Sequence, residues 1–312
     1  MKSHTSLRAA PESCLRLLWP ALCAIAFLVP AATCAWETGD ELAVVFEREI
    51  EHPLDLPAAE QLHYAELLEM ALARAGLTAL PAQYFILVDR DPEVQAVLIY
   101  WKSEQGSFHF IGAAPCSTGR PGEFEHFVTP VGVFDHTIAH FDFRAEGTRN
   151  AYGIRGYGEK GMRVYDFGWV SAERGWGRGG ESPMRLQMHA TDPDVLESQL
   201  GCIHSKGCIR IPAALNVFID RYGLLDADYE RALAEGHRLW VLRSDRTPTP
   251  WSGRYLVVVD SQRTERPAWS RPPTPYPCRI DRRRVGAPLA AVNAAVRANS
   301  RCGPAALSAG AA

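Results

Sequence analysis

Apolar positions recur with two different periods along this chain of 312 residues, and the change of period marks its organisation. After an opening apolar run from Leu17 to Val29, a helical period begins at Asp55 and Pro57. Ala58, Leu62, Ala65, Leu68, Leu72 and Ala75 fall on one stripe that Gly76 closes, which predicts an amphipathic helix packed as a cover on the strand-rich region after it. From Gln83 the period becomes that of strands. Tyr84 to Val88, Val94 to Trp101 and Ser107 to Gly112 are rich in β-branched and aromatic residues, with turn clusters at Asp89-Arg90-Asp91-Pro92 and Ser103-Glu104-Gln105-Gly106 between them. Val131 to Phe134 opens a further strand. Met184 to Met188 alternates as another and delivers His189 at its end, while His237 to Leu242 and Tyr255 to Val259 are expected to add to the sheet. Pro212 starts a helix with Leu215, Phe218 and Ile219 inward and Gly223 at its end, and a second runs from Asp226 to Ala234 before Gly236. The stretch from Asp135 to Glu181 shows no clear period. Its Tyr152, Tyr157, Tyr165, Phe167, Trp169 and Trp176 lie among glycines, fitting a flap that walls a groove and, equally, a surface insertion with a small core of its own.

The opening run is preceded by Lys2, Arg8 and Arg16 and followed by Ala31-Ala32-Thr33-Cys34-Ala35. This order of basic, apolar and small residues predicts a secretory signal peptide cut after Ala35, and a mature chain in the periplasm or cell envelope. The run is short for an ordinary membrane span, so membrane attachment is expected only if the signal is retained. Five of the eight cysteines remain after the cut: Cys116, Cys202, Cys208, Cys278 and Cys302. An odd number suits one reactive thiol with up to two disulfides in an oxidising compartment. Cys278 with Cys302 is the preferred pair and Cys116 with Cys202 the second, and Cys202 is also a candidate redox neighbour of Cys208. No Cys-x-x-Cys pair points to zinc. His136 and His140 lack the glutamate of a His-Glu-x-x-His helix and sit in a strand context, so no metal site is expected there. The formal charge of −3 becomes −5 when residues 1–35 leave with three basic and one acidic side chain, which gives no reason to expect a nucleic-acid partner. Beyond Asp260 the chain turns to Pro and Arg. Arg263, Arg266, Arg271, Arg279 and Arg282 to Arg284 read as a solvated face rather than a polyanion site, within a polyproline-like segment that ends in a short helix near Pro288 to Ala298.

The chemistry concentrates between His189-Ala190-Thr191 and His204-Ser205-Lys206-Gly207-Cys208-Ile209-Arg210. A cysteine is only a few per cent thiolate at neutral pH, so a nucleophilic one needs an imidazole or positive field beside it. His189 supplies the base if the intervening loop folds back. Gly207 allows close approach of a substrate, and its N–H with that of Cys208 is expected to face a developing oxyanion. Arg210 is expected to grip a carboxylate or brace the loop, Ser205 to hydrogen-bond the loop or the histidine, and Lys206 to act on the thiol by its charge.

Ser205-x-Gly207-Cys208-x-Arg210, preceded by His189, resembles the signature of the YkuD-type L,D-transpeptidases. Upstream, Ser117-Thr118-Gly119 followed by Thr129-Pro130-Val131-Gly132-Val133-Phe134 resembles a second segment of that family, and the resemblance spans roughly Gln83 to Leu242. The family commonly has His-Gly where this chain has His189-Ala190, and often a histidine at the place of Lys206. Its third catalytic member is a backbone carbonyl beside the base, which Ala190 can still provide. The resemblance implies a mainly β fold with flanking helices, a mixed β-sandwich whose motif loops gather at one edge. It divides the chain into a signal peptide (1–35), an N-terminal helical segment (36–82), a catalytic domain (83–260) and a Pro/Arg-rich tail (261–312). It implies a cysteine acyltransferase in peptidoglycan cross-linking that needs no metal or organic cofactor, with stem peptides as substrates and carbapenems as acylating inhibitors. Cys208 would be the nucleophile, His189 the base and acid, and Gly207 an oxyanion donor, with Arg210, Ser205, Lys206, Ala190, Ser117 and Gly119 around the substrate. Hydrolysis by an L,D-carboxypeptidase, or transfer to another amine in wall anchoring or amino-acid exchange, would share the acylation step. A wall-binding protein without activity would not need an intact Cys208 and His189. A papain-like protease would carry its cysteine ahead of its histidine, the reverse of the order here.

Overall fold

Gln83 to Asp89 is apolar at nearly every position because both of its faces are covered. The computed structural model describes residues 37–270; the signal stretch, Cys278, Cys302 and the tail after Ser270 lie outside the described residues. Strand β1 (Gln83–Asp89) pairs antiparallel with β2 (Ala96–Lys102), which pairs with β3 (Phe108–Pro115). Its other edge runs parallel to β9 (Tyr255–Val259), which carries β4 (Gly132–Asp135), so the sheet order is β3-β2-β1-β9-β4. Tyr84, Ile86 and Val88 enter one core, shared with a second sheet, while Phe85 and Leu87 enter another beneath helix α2 (Ala58–Arg74). A strand buried on both sides loses its alternation, which is why this one reads as a continuous apolar run.

The second sheet has the order β5-β6-β7-β8, from β5 (Phe143–Arg144), β6 (Arg163–Glu173), β7 (Glu181–Ala190) and β8 (Ile209–Ile211). Helix α3 (Ala213–Tyr222) leaves β8 directly and buries Leu215, Phe218 and Ile219. Gly223 ends it in the left-handed conformation, and α4 (Ala227–Ala234) comes next. Helix α1 (Leu42–Glu49) adds Leu42 and Phe46 to the core between the sheets, Phe46 edge-on to Phe218 at 5.4 Å. The class is therefore mainly β with flanking helices.

Four expectations need correction. Leu62 is 69% exposed, and the buried face of α2 is Tyr64, Leu68 and Leu72; Leu62 lies six residues from Leu68, about 120° round the helix. The aperiodic stretch from Asp135 to Glu181 is neither an insertion nor only a flap, because β6 within it is an interior strand of the second sheet. Its period is hidden by Arg163 and Asp166, both buried, and by a register shift between Asp166 and Trp169. His237 to Leu242 forms no strand. The Val241 carbonyl accepts the Arg144 guanidinium from β5 instead of a ladder bond, and Trp240 stands in solvent. Arg263 and Arg266 of the expected solvated face are used by the fold: Arg263 pairs with Glu60 of α2, and Arg266 donates to the Pro92 carbonyl.

A buried ionic cluster locks the second sheet to its helices. Arg163, fully buried, bonds Asp142 at 2.6 Å, Asp226 at 2.9 Å and Asp220 at 3.2 Å. His136 reaches Asp142 at 2.9 Å, and Arg144 and Arg246 complete the pairing of Asp220 and Asp226. Each carboxylate thus has a cation, which offsets desolvation that would otherwise cost several kcal/mol per ion.

Candidate active site

The parallel pairing of β7 with β8 brings the two halves of the motif together. Met188 lies opposite Ile209, His189 opposite Arg210 and Ala190 opposite Ile211. Cys208 therefore sits level with Gln187, one step before β8 begins, and on the same side of the strand as Arg210. The connection from Thr191 to Gly207 folds back, as the nucleophile reading requires. His189 is buried, and its Nδ1 meets the Ala190 carbonyl at 2.7 Å. With Nδ1–H donated there, Nε2 is the nitrogen left to take a proton. Ala190 itself is fully buried, so it serves the site through its backbone.

Burial controls the protonation of both groups. It pulls the His189 imidazole down to about 4, helped by the positive Arg210 and opposed by the Ala190 carbonyl. It pushes the Cys208 thiol up, against the Gln187 N–H and the Arg210 charge. Burial thus favours the neutral form of both the Cys208 thiol and the His189 imidazole.

The loop before Cys208 is held by Ser205, whose hydroxyl donates to the Cys208 carbonyl at 2.5 Å and accepts the Gly207 N–H at 3.0 Å. This changes the part expected of Gly207: its N–H is already satisfied within the loop, and the Cys208 N–H is the backbone donor left for an oxyanion. Gly207 is required for another reason. Its φ is +130°, and a Cβ there would meet Met184 at 3.0 Å and Phe127 at 3.1 Å.

Ser117 and Gly119, expected around the substrate, lie behind the nucleophile loop. Ser117 is 1% exposed and exchanges backbone bonds of 2.9 Å with Arg210. Gly119 donates to the Thr129 hydroxyl at 2.8 Å, which itself donates to the Gly207 carbonyl at 2.7 Å. The upstream motif is thus a buttress for the cysteine loop. Arg210 donates to the His204 carbonyl at 3.1 Å, bracing the same loop from below. Lys206 is exposed and shares with Cys208 a cleft of about 440 Å³ whose walls include Phe124, Phe127, Trp169, Trp176 and Arg185. Phe127 and Trp176 meet edge to face at 4.8 Å, and Phe124 and Trp169 are 74% and 65% exposed.

Three contributors carry no motif. Tyr157 reaches over the site from a loop between β5 and β6, its ring edge-on to His189 at 4.7 Å and its hydroxyl 3.4 Å from Gln187 Oε1. Gln187 in turn donates to Asp166 at 2.9 Å, which also accepts Arg185 at 2.8 Å. Only the concentration of aromatics in a glycine-rich stretch hinted at Tyr157; Gln187 and Asp166 emerge from strand register alone.

Cys116 is free, fully buried and held far from thiolate character by that burial; Cys202 is disulfide-bonded, so the two do not pair with each other. Cys208 is the one free cysteine among the described residues that opens on a cleft. No cluster of three or more His, Cys, Asp or Glu side chains suited to a metal occurs among the described residues. A scan against protein-family models finds no match for the chain, and a search of the curated proteins finds no similar one.

Proposed function

We propose that this chain is a cysteine-dependent acyltransferase of the L,D-transpeptidase kind, exported to the cell envelope and acting on peptidoglycan stem peptides. One observation carries the reading: the β7–β8 pairing sets His189, oriented by its neighbour's carbonyl, on the strand next to Cys208, which stands level with Gln187 and opens on a cleft. The two sheets with motif loops at one edge are compatible with the YkuD-like architecture that the motifs resemble.

In this mechanism the Cys208 proton passes to His189 Nε2 as sulfur attacks the carbonyl carbon before the terminal D-Ala of a donor stem. The tetrahedral oxyanion takes the Cys208 N–H; such donors are worth about 3 kcal/mol each. Nε2 then returns the proton to the leaving amine, D-Ala departs, and a thioester remains on Cys208. The amine of a second stem attacks the thioester and loses its proton to His189, which restores the thiol and leaves a cross-link. Lys206 at the cleft favours a carboxylate-bearing donor. Mass spectrometry of tetrapeptide muropeptides incubated with residues 36–312 tests the reading. Loss of D-Ala with dimers that vanish in Cys208→Ala is expected; loss without dimers assigns hydrolysis instead, and no change in any product overturns acyl transfer to stem peptides.

A further inference from the structure

His189 has two supports, and only one belongs to its own strand. The Ala190 carbonyl fixes Nδ1. The other support is the Tyr157 ring, edge-on at 4.7 Å with 70° between the planes, and backed in turn by Phe143 at 5.5 Å. The residue after Tyr157 lies directly on the residue after His189. Gly158, at φ +81°, has no room for a Cβ, which would come within 2.7 Å of the Ala190 methyl and of Met162 Sδ. The loop is thus seated on the base and on the residue that orients it.

The same loop is fastened by charge to the chain just past His189. Asp192, fully buried, accepts the Arg155 backbone N–H at 2.7 Å and its guanidinium at 3.1 Å. Asp194 takes Arg155 at 2.8 Å and Arg149 at 3.1 Å. Asn150 closes the turn between the two arginines by accepting the N–H groups of Tyr152 and Ile154. Two arginines on the loop therefore meet two aspartates three and five residues beyond His189, a pairing that sets the height of Tyr157 over the imidazole.

We propose that Tyr157 is a positioning residue for His189, held over it by the Arg155–Asp192 clamp, so that the loop from Glu146 to Met162 sets the orientation and the dryness of the catalytic base. This rests on the proposed function for the role of His189, though the geometry does not. The ionisable groups around His189 are Tyr157 from the loop, Arg210 across the strand pair and Cys208 just before β8, while β6 pairs Val164 with it and carries Asp166 two residues on. The Asp166 carboxylate is taken up by Gln187 and Arg185, and among the described residues no carboxylate bonds the imidazole. Exclusion of water, to which the Tyr157 ring contributes, keeps the imidazole neutral together with the positive Arg210, and opening the loop admits water and a proton.

The test compares the wild type with Tyr157→Phe, Tyr157→Ala and Arg155→Ala in two measurements on the whole chain. NMR titration of His189 needs no substrate: a value near 4 is expected in the wild type and Tyr157→Phe, moving toward the ordinary 6.5 in Tyr157→Ala and part of the way in Arg155→Ala. The rate of Cys208 acylation by a carbapenem should fall roughly 10- to 100-fold in Tyr157→Ala, the loss that a misplaced catalytic group brings, and Tyr157→Phe should restore it. If Tyr157→Ala titrates and acylates as the wild type does, the proposal is wrong. If Tyr157→Phe matches Tyr157→Ala, the hydroxyl and not the ring is responsible, which also overturns it. Should no variant be acylated while the titrations shift as stated, the transpeptidase reading fails and the positioning role stands.

Discussion

The protonation of Cys208 and His189 sets how the proposed acyl transfer must start, and alkylation reports it directly. With the imidazole held down to about 4 and burial pushing the thiol above its ordinary value, moving the proton from sulfur to nitrogen is strongly uphill. A preformed thiolate–imidazolium pair, of the kind that holds some protease cysteines ionised down to a pH of about 4, is therefore not populated. Iodoacetamide modification of Cys208, followed by intact mass, should rise about tenfold per pH unit from 6 to 9 and show no plateau near neutrality. At pH 7 it should run slower than a free thiol, which is about 3% ionised there. Cys116 is buried and will not compete. A flat profile between roughly pH 5 and 8 would refute the reasoning, because it would mean that the pair is charged before substrate arrives. The consequence for mechanism is that deprotonation accompanies attack: substrate carbonyl and Cys208 N–H must be in place before the proton moves.

Other consequences can be measured on single substitutions. Arg163→Met leaves Asp142, Asp220 and Asp226 without their central cation and should lower stability by about 3–5 kcal/mol in denaturant unfolding; a loss below about 1 kcal/mol would mean that Arg144, Arg246 and His136 suffice. Folded-state values of about 4 for His189 and about 3 for His204 lie below the unfolded 6.5, so their contribution is complete above pH 6.5 and disappears as pH falls through those values. His136, raised by Asp142 despite its burial, works in the opposite sense. The melting temperature should therefore drop between pH 6.5 and 4, and His189→Gln should remove about 3 kcal/mol of that dependence; an unchanged slope would contradict the burial argument. Trp169→Ala and Phe124→Ala, at exposed positions on the cleft, should raise the KM for a stem-peptide substrate several-fold while leaving alkylation of Cys208 unaltered.

How much of the fold and site was legible in the sequence depended on whether the reason for each residue was local. Strands β1, β2 and β9 and helix α3 announce themselves, because their apolar runs, their turns and Gly223 act within a few positions. Strand β6 does not, since Arg163 and Asp166 look like surface residues until their partners arrive from Asp142, Asp226 and Arg185. The site shows the same division. Cys208 and His189 are recognisable as residue types at a suggestive interval, but the employment of the Gly207 N–H depends on where the Ser205 hydroxyl turns, and that is a rotamer. Nor does the motif reveal why alanine is tolerated after the histidine. Taken alone, Ala190 is a departure from the pattern that the motif resembles; paired with Gly158, whose missing Cβ makes room for the methyl, it is half of a fitted contact. Gly158→Ala should therefore be far more damaging here than an exposed loop glycine would lead one to expect, with strain at φ +81° and a collision at Ala190 both lifting the loop from His189. Adding Ala190→Gly should recover the part due to the Ala190 collision and leave the parts due to Met162 and to backbone strain. A double variant no better than Gly158→Ala would show that the two residues do not act through each other.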